Sequence, residues 1–158
     1  MRYIFVDRIV ALAPGRRLRA LKQVTATDGA VASYGDGMPA LPGALLLEAM
    51  AQAAGLLAIA SAPDVVQPVL AKVQGFAAAG QARAGDSVEL DATLDDLRAE
   101  GCRATVRAAV GDRSLASATI LLGLVPVDDA AERGLLQRRL EALFPGWFAG
   151  VHSVETVS

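Results

Sequence analysis

Residues 44–60 read ALLLEAMAQAAGLLAIA, and the interpretation of this one run decides the architecture. As a membrane span it sits at the short limit for a hydrocarbon core about 30 Å thick. It also carries Glu48 and Gln52, which at i and i+4 share one helical face, and a carboxylate facing lipid is costly. A helix enclosed by protein on nearly all sides fits better, because the apolar residues run almost all the way round. Pro42-Gly43 marks its start, proline being suited to a first helical turn, and Ser61-Ala62-Pro63 marks its end.

Outward from this helix the apolar residues alternate as strands do, over 3–11, 17–26, 69–76, 87–97, 102–110 and 114–124. Short turns at Glu100-Gly101 and Gly111-Asp112 join the last three into an antiparallel meander. One very apolar helix among six strands predicts an α+β arrangement in which a curved antiparallel sheet wraps the helix. Such a sheet has free edges, and pairing them across a dimer protects them. After Leu124 the pattern changes. Pro126 and Asp128 start and cap an amphipathic helix over 129–143, with Leu136, Leu140, Leu143 and Trp147 at stripe spacing, and Phe144-Pro145-Gly146 stops it. The expected division is a sheet-and-helix domain over 1–125 and a helical extension with a polar tail over 126–158. The extension helix is expected to pack on its own sheet or on a sister subunit.

At 158 residues the chain is one domain. Fifteen basic against 17 acidic residues leave a net charge of −2, which gives no reason to expect nucleic acid or an anionic membrane as partner. With 53% hydrophobic and 20% charged residues the chain is not disordered, and the apolar excess points to an oligomer interface. Cys102 is the one cysteine, so neither an intrachain disulfide nor a Cys-rich zinc site is available, and no metal or cofactor is expected. Asp7-Arg8 interrupts the apolar N-terminus too early for a signal peptide, making the cytoplasm the expected compartment.

Chemistry concentrates where the Pro/Gly-rich stretch 34–43 feeds the central helix. Unpaired N–H groups at a helix start can receive a carbonyl oxygen that gains negative charge, so Gly43 and Ala44 are oxyanion candidates, and Gly43 lets a ligand approach the backbone. Glu48 lies about one turn inside. Ala44, Ala51, Gln52 and Gly55 surround it, small except for Gln52, and leave room for a chain or for another helix.

The run Pro39-x-x-Pro42-Gly43-x-Leu45-x-x-Glu48-Ala49-Met50-Ala51-Gln52 resembles the central-helix signature of the β-hydroxyacyl-(acyl carrier protein) dehydratases of fatty-acid synthesis, which have the hotdog fold. Phe5-Val6-Asp7-Arg8-Ile9-Val10, the Pro14-Gly15 turn, Gly80-Gln81 and the Gly85-Asp86 turn agree, so that the resemblance spans roughly residues 3–124. It implies a site shared across a dimer, to which one chain brings a histidine that removes the α-proton of an acyl thioester. The other chain's central helix brings a carboxyl group that helps the β-hydroxyl leave as water, and the helix's first glycine steadies the thioester carbonyl. Matched residue by residue, Glu48 is the acid and Gly43 the oxyanion donor. Tyr34, Asp36, Pro42, Ala44 and Gln52, around them in the sequence, are expected to bind substrate.

The histidine does not carry over. Gapless alignment backwards from Pro39 puts Tyr34 in its place, and Gly35-Asp36-Gly37-Met38 departs from the family's Phe-Pro-Gly-x. A positioned acid–base group contributes ~10²–10⁴ in rate, and a tyrosine of ordinary pKa, about 10, is a donor before it is a base. Asp36, between glycines, reads as a turn residue and a weak base, and His152 as a surface residue near the terminus. The arginines at 16, 17 and 19 read as a solvated face, with attraction of an acidic carrier protein as the alternative. Three functions follow. The chain is the carboxylate-supplying subunit of a heteromeric dehydratase acting on acyl-carrier-protein thioesters, or a hotdog thioesterase, or a non-catalytic subunit that holds an acyl chain or carrier protein. The expected assembly is a homodimer or a heterodimer with a histidine-containing dehydratase subunit.

Overall fold

The computed structural model of the chain describes residues 5–26, 32–33 and 39–149. Tyr34, Asp36 and His152, and the first two residues of the strand expected from residue 3, lie outside them. In chain order the elements are β1 (Arg8–Ala13), β2 (Arg17–Gln23), β3 (Ala32–Ser33), β4 (Pro39–Ala40), α1 (Gly43–Ser61), β5 (Val66–Ala78), β6 (Ser87–Leu97), β7 (Gly101–Val110), β8 (Arg113–Pro126) and α2 (Ala130–Leu143). The long strands make one antiparallel sheet in the order β1-β2-β6-β7-β8-β5, and β3 pairs with β4 in a separate two-residue ladder. The expected meander is β6-β7-β8.

Period-two alternation sets the inner face. Leu18 and Ala20 of β2, Val88, Leu90 and Ala92 of β6, Ala104, Val106 and Ala108 of β7, and Ala118, Ile120 and Leu122 of β8 all point inward and are buried. Against them lies α1, which packs on β2, β5, β6, β7 and β8. Ala49, Ala53, Ala54 and Ala58 are fully buried, and their small side chains let the helix sit close to the strands, while Met50 and Leu57 fill the space between. Among the described residues α1 is the one helix long and apolar enough to cross a membrane, and it is the core of the sheet instead.

Enclosure of α1 is less complete than its composition implies. Gly43, Ala44 and Glu48 are exposed in the single chain, whereas the sequence places that first stretch inside. Composition averages round and along the helix, and so does not register that its first turns keep exposed residues.

The outer face of β2 and β6 carries diagonal ion pairs. Arg17 pairs with Asp91, and Arg19 reaches Glu89 at 3.0 Å. Asp91 holds the Arg17 guanidinium above its ordinary pKa, through the hydrogen bond first and the charge second. Two of the three clustered arginines are thus matched by acids on the neighbouring strand, in keeping with a solvated face. Lys22 is buried, with its ammonium 3.7 Å from Asp7 and 5.8 Å from the centre of the Phe5 ring.

At the other side of the sheet β5 is an edge strand exposed over most of its length. Val69, Leu70 and Phe76 are 50%, 47% and 37% exposed. It begins three residues earlier than the alternation at 69–76 implied, because Val66 is buried and pairs with Pro126 of β8.

α2 is capped by Asp129, whose carboxylate accepts from the Glu132 N–H at 2.9 Å. Asp128 does not take the expected capping role, since the chain reaches helical geometry one residue later. The buried stripe also differs, comprising Leu140, Phe144 and Phe148, the two rings with centroids 6.2 Å apart, while Leu143 is 43% exposed and Leu136 and Trp147 are half-buried. The helix ends at Leu143, so the chain turns and Phe144 and Phe148 reach the core from outside the helical period.

Candidate active site

The start of α1 is held by its neighbours. Leu41 N–H donates to Ala82 O at 2.8 Å, Ala84 N–H to Pro39 O at 3.2 Å, and Ala40 bridges Arg83. The 82–84 segment is held in turn by Asp86, which accepts from the Arg83 N–H at 2.8 Å and pairs with Arg113 at 3.3 Å, across a turn that needs Gly85 at φ +94°. Arg113 also donates to Gln81 O at 2.9 Å. This clamp aims Pro42 into the helix. The Gly85-Asp86 turn is readable in the sequence, but the arginine that completes it comes from 27 residues further on and carries no local signal.

Pro42 is the N-cap, with φ −57° and ψ 142°, and no side chain caps the helix. Its carbonyl accepts from Leu45 and Leu46. The N–H groups of Gly43 and Ala44 therefore point out of the helix start at an exposed position, where the helix dipole favours negative charge. A Cβ at Gly43 would meet nothing within 4 Å, so the space over this glycine is open.

Glu48 lies five residues into α1, about 7.5 Å along the axis at ~1.5 Å per residue. Its Oε1 accepts from the Gln52 side-chain amide at 3.1 Å, and Gln52 Oε1 accepts from the Phe5 N–H at 2.9 Å. The Phe5 bond fixes which way the amide points and so presents its N–H to Glu48. Gln52, expected to touch substrate, is thus hydrogen-bonded both to the Phe5 backbone and to the Glu48 side chain.

Glu48 and Gln52 open onto a cavity of about 230 Å³. Ala51, Gly55, Leu56 and Ile59 of α1 form its floor, Gln67, Pro68 and Leu70 of β5 and Leu122 of β8 one side, and Leu136, Arg139, Leu140, Leu143 and Phe144 the other. The small residues seen in the sequence beside Glu48 do leave a space. Its far wall, from the C-terminal segment, is not legible there, because nothing in an amphipathic stripe says which groove it covers. Of the expected site residues the structure brings Glu48 and Gln52 together in the cavity and places Pro42, Gly43 and Ala44 at the helix start. Among the described residues no group of three or more His, Cys, Asp or Glu side chains is placed to hold a metal ion. Cys102 is buried, and that burial pushes its thiol pKa up.

The model of the FabA-like domain family matches residues 2–119. The 3-hydroxyacyl-(acyl-carrier-protein) dehydratase FabZ of Symbiobacterium thermophilum is 35% identical over 129 residues, covering 78% of this chain and 87% of that protein. The FabZ of Variovorax paradoxus is 34% identical over 128 residues, covering 77% and 84%. Among solved structures, smu.793 from Streptococcus mutans bound to acetyl CoA is similar with a TM-score of 0.67 at 15% identity, over 82% of this chain and 96% of that one. Thioesterase HI1161 from Haemophilus influenzae gives 0.63 at 13% identity, over 77% and 80%. At such identities the structures bear on the fold alone, and that fold is the hotdog arrangement of one antiparallel sheet around a central helix.

Proposed function

The chain belongs to the FabA-like domain family, and from that premise we propose that it acts on 3-hydroxyacyl thioesters of acyl carrier protein as the carboxylate-supplying subunit of a cytoplasmic dehydratase. The observation that carries the reading is Glu48, held by Gln52 at the mouth of an apolar cavity on the helix whose uncapped start is Gly43.

In this reading the thioester carbonyl sits at the N–H groups of Gly43 and Ala44, which stabilise the negative charge that grows on its oxygen as the α-proton leaves. A base removes that proton. Glu48, in its acid form, gives its proton to the departing hydroxyl, so that water and a 2-enoyl thioester result, and both groups recover their starting states through solvent. The sequence contains a single histidine, His152, outside the residues that match the family, and Tyr34 stands where the family's base is expected. The base is therefore assigned to a histidine-containing sister subunit, paired along the exposed β5 edge, where unpaired backbone groups and Val69, Leu70 and Phe76 await cover. The division into a 1–125 catalytic unit and a 126–158 extension is part of the same proposal.

The test mixes this chain with a histidine-containing relative whose own carboxylate has been removed, and follows dehydration of a short 3-hydroxyacyl thioester. Turnover is expected in the mixture and in neither protein alone. Absence of turnover in the mixture refutes the reading. Tyr34→His in this chain alone is expected to introduce activity, since it restores a base at the matched position.

Thioester hydrolysis is the second reading, favoured by the same pairing of a carboxylate with an oxyanion-type helix start in a chain with no histidine in the family-matched segment. Release of free thiol from an acyl thioester by this chain alone distinguishes it. A non-catalytic acyl-binding subunit shows neither activity.

A further inference from the structure

The cavity beside Glu48 is walled on one side by a segment that the family match does not include. The matched residues end at 119, and α2 runs from Ala130 to Leu143. Resting on the dehydratase reading, we propose that α2 is the acyl-length gauge of this protein, with Leu136 as the stop against which the far end of the substrate's acyl chain rests.

The cavity is polarised along α1. Glu48 and Gln52 are at its start, and eleven residues on, about 16 Å along the axis at ~1.5 Å per residue, is Ile59. Between them Ala51 and Gly55 contribute almost no side chain, so the floor is a shallow trough. Gly55 stands under Pro68, where a Cβ would meet that ring at 3.8 Å. Any side chain longer than alanine there would extend into the trough.

At the Ile59 end there is a wall with space on both sides. Ile59, Leu136 and Leu140 border the large cavity and also a second one of about 20 Å³, lined further by Val65, Arg133, Gln137 and Phe148. That volume holds about one water-sized group. Leu140 is buried in the core, and its removal would disturb packing. Leu136 is only half-buried, so it is the part of the partition that can change without loss of the fold. The occupant is an acyl chain because the trough is lined mainly by apolar side chains, leads away from the proposed catalytic carboxylate, and has a wall at the Ile59 end.

Saturated acyl thioesters of pantetheine, from butanoyl to hexadecanoyl, serve as probes because they carry no hydroxyl group to eliminate. Binding to the full chain is followed by the fluorescence of Trp147, the sole tryptophan, which is packed against the core three residues beyond Phe144 of the cavity wall. Affinity is expected to rise about fourfold per added methylene while the chain is still entering, and to break where its end meets α2. Leu136→Ala joins the two spaces and moves the break to a longer chain by one even-numbered step. Leu136→Phe moves it to a shorter one. Should the phenylalanine variant fail to melt cooperatively, the alanine variant alone decides, by whether the break moves to a longer chain. No dependence on chain length, or a break that stays put in folded variants, overturns the proposal. A break that moves as described, in a protein without turnover alone or with a histidine-containing subunit, upholds the gauge and refutes the dehydratase reading. Turnover whose chain-length profile ignores Leu136 does the reverse.

Discussion

Among the described residues two hydrogen bonds of Gln52 differ in worth, and substituting it separates them. Its Oε1 accepts from the half-buried Phe5 N–H at 2.9 Å, whereas its amide donates to the exposed Glu48 carboxylate at 3.1 Å. Gln52→Leu deletes both. Leaving a partly buried N–H without an acceptor costs about 1–3 kcal/mol, while an exposed i,i+4 pair contributes ~0.2–0.5 kcal/mol, and leucine has nearly the helix propensity of glutamine. The expected loss is about 2 kcal/mol, or roughly 4–8 °C in Tm for a chain of this size. Gln52→Glu keeps the acceptor for Phe5 and sets a like charge one turn from Glu48, which costs only ~0.2–0.5 kcal/mol. Both variants release Glu48 from its fixed orientation, and a catalytic group misplaced by about 1 Å loses on the order of 10²-fold in rate. Thermal denaturation should therefore separate the two substitutions while dehydration assays do not. Equal melting temperatures, or full activity in the glutamate variant, would refute the assignment of Gln52 as the residue that positions the acid.

Other substitutions test the packing and the chemistry around it. Gly101→Ala places a Cβ 2.9 Å from the Leu122 carbonyl oxygen, so strands β7 and β8 must shift, and a loss of about 1–3 kcal/mol in denaturant unfolding is expected. Gly55→Ala meets only an ordinary contact with Pro68 and gains up to ~1 kcal/mol of helix propensity, so Tm should rise. Because burial raises the Cys102 thiol pKa, alkylation at neutral pH should be slow in the native protein and fast in denaturant, as read by mass spectrometry. Leu57→Ala, in the fully buried centre of α1, is expected to cost about 2–5 kcal/mol.

The sequence made the core legible because its signals are local and redundant. The run from Ala44 to Ala60 falls within the α1 of the structure, Gly43–Ser61, and the alternation over 87–97 matches β6 residue for residue. Leucine and alanine in strict period two have one way to bury themselves, and that fixes the sheet around the helix. The site was half legible. Glu48 and Gly43 stand out through the motif at the start of the central helix, the one as a carboxylate in an apolar run and the other as the helix's first residue. By contrast, the Asp86–Arg113 clamp and the wall formed by Leu136 and Arg139 depend on where β8 and α2 dock, a tertiary outcome without a periodic signature. The Asp128-Asp129 pair shows a smaller limit, since either aspartate can cap a helix and only the path of the chain out of β8 selects Asp129.

The central claim is that the carboxylate of Glu48 takes part in the elimination. Glu48→Gln, assayed in the mixture with a histidine-containing subunit that lacks its own carboxylate, measures this directly, because the amide keeps the shape and cannot give up a proton. A fall of about 10²–10⁴ in the dehydration rate, with the two chains still co-purifying, is the predicted result. An unchanged rate in the intact assembly would contradict it.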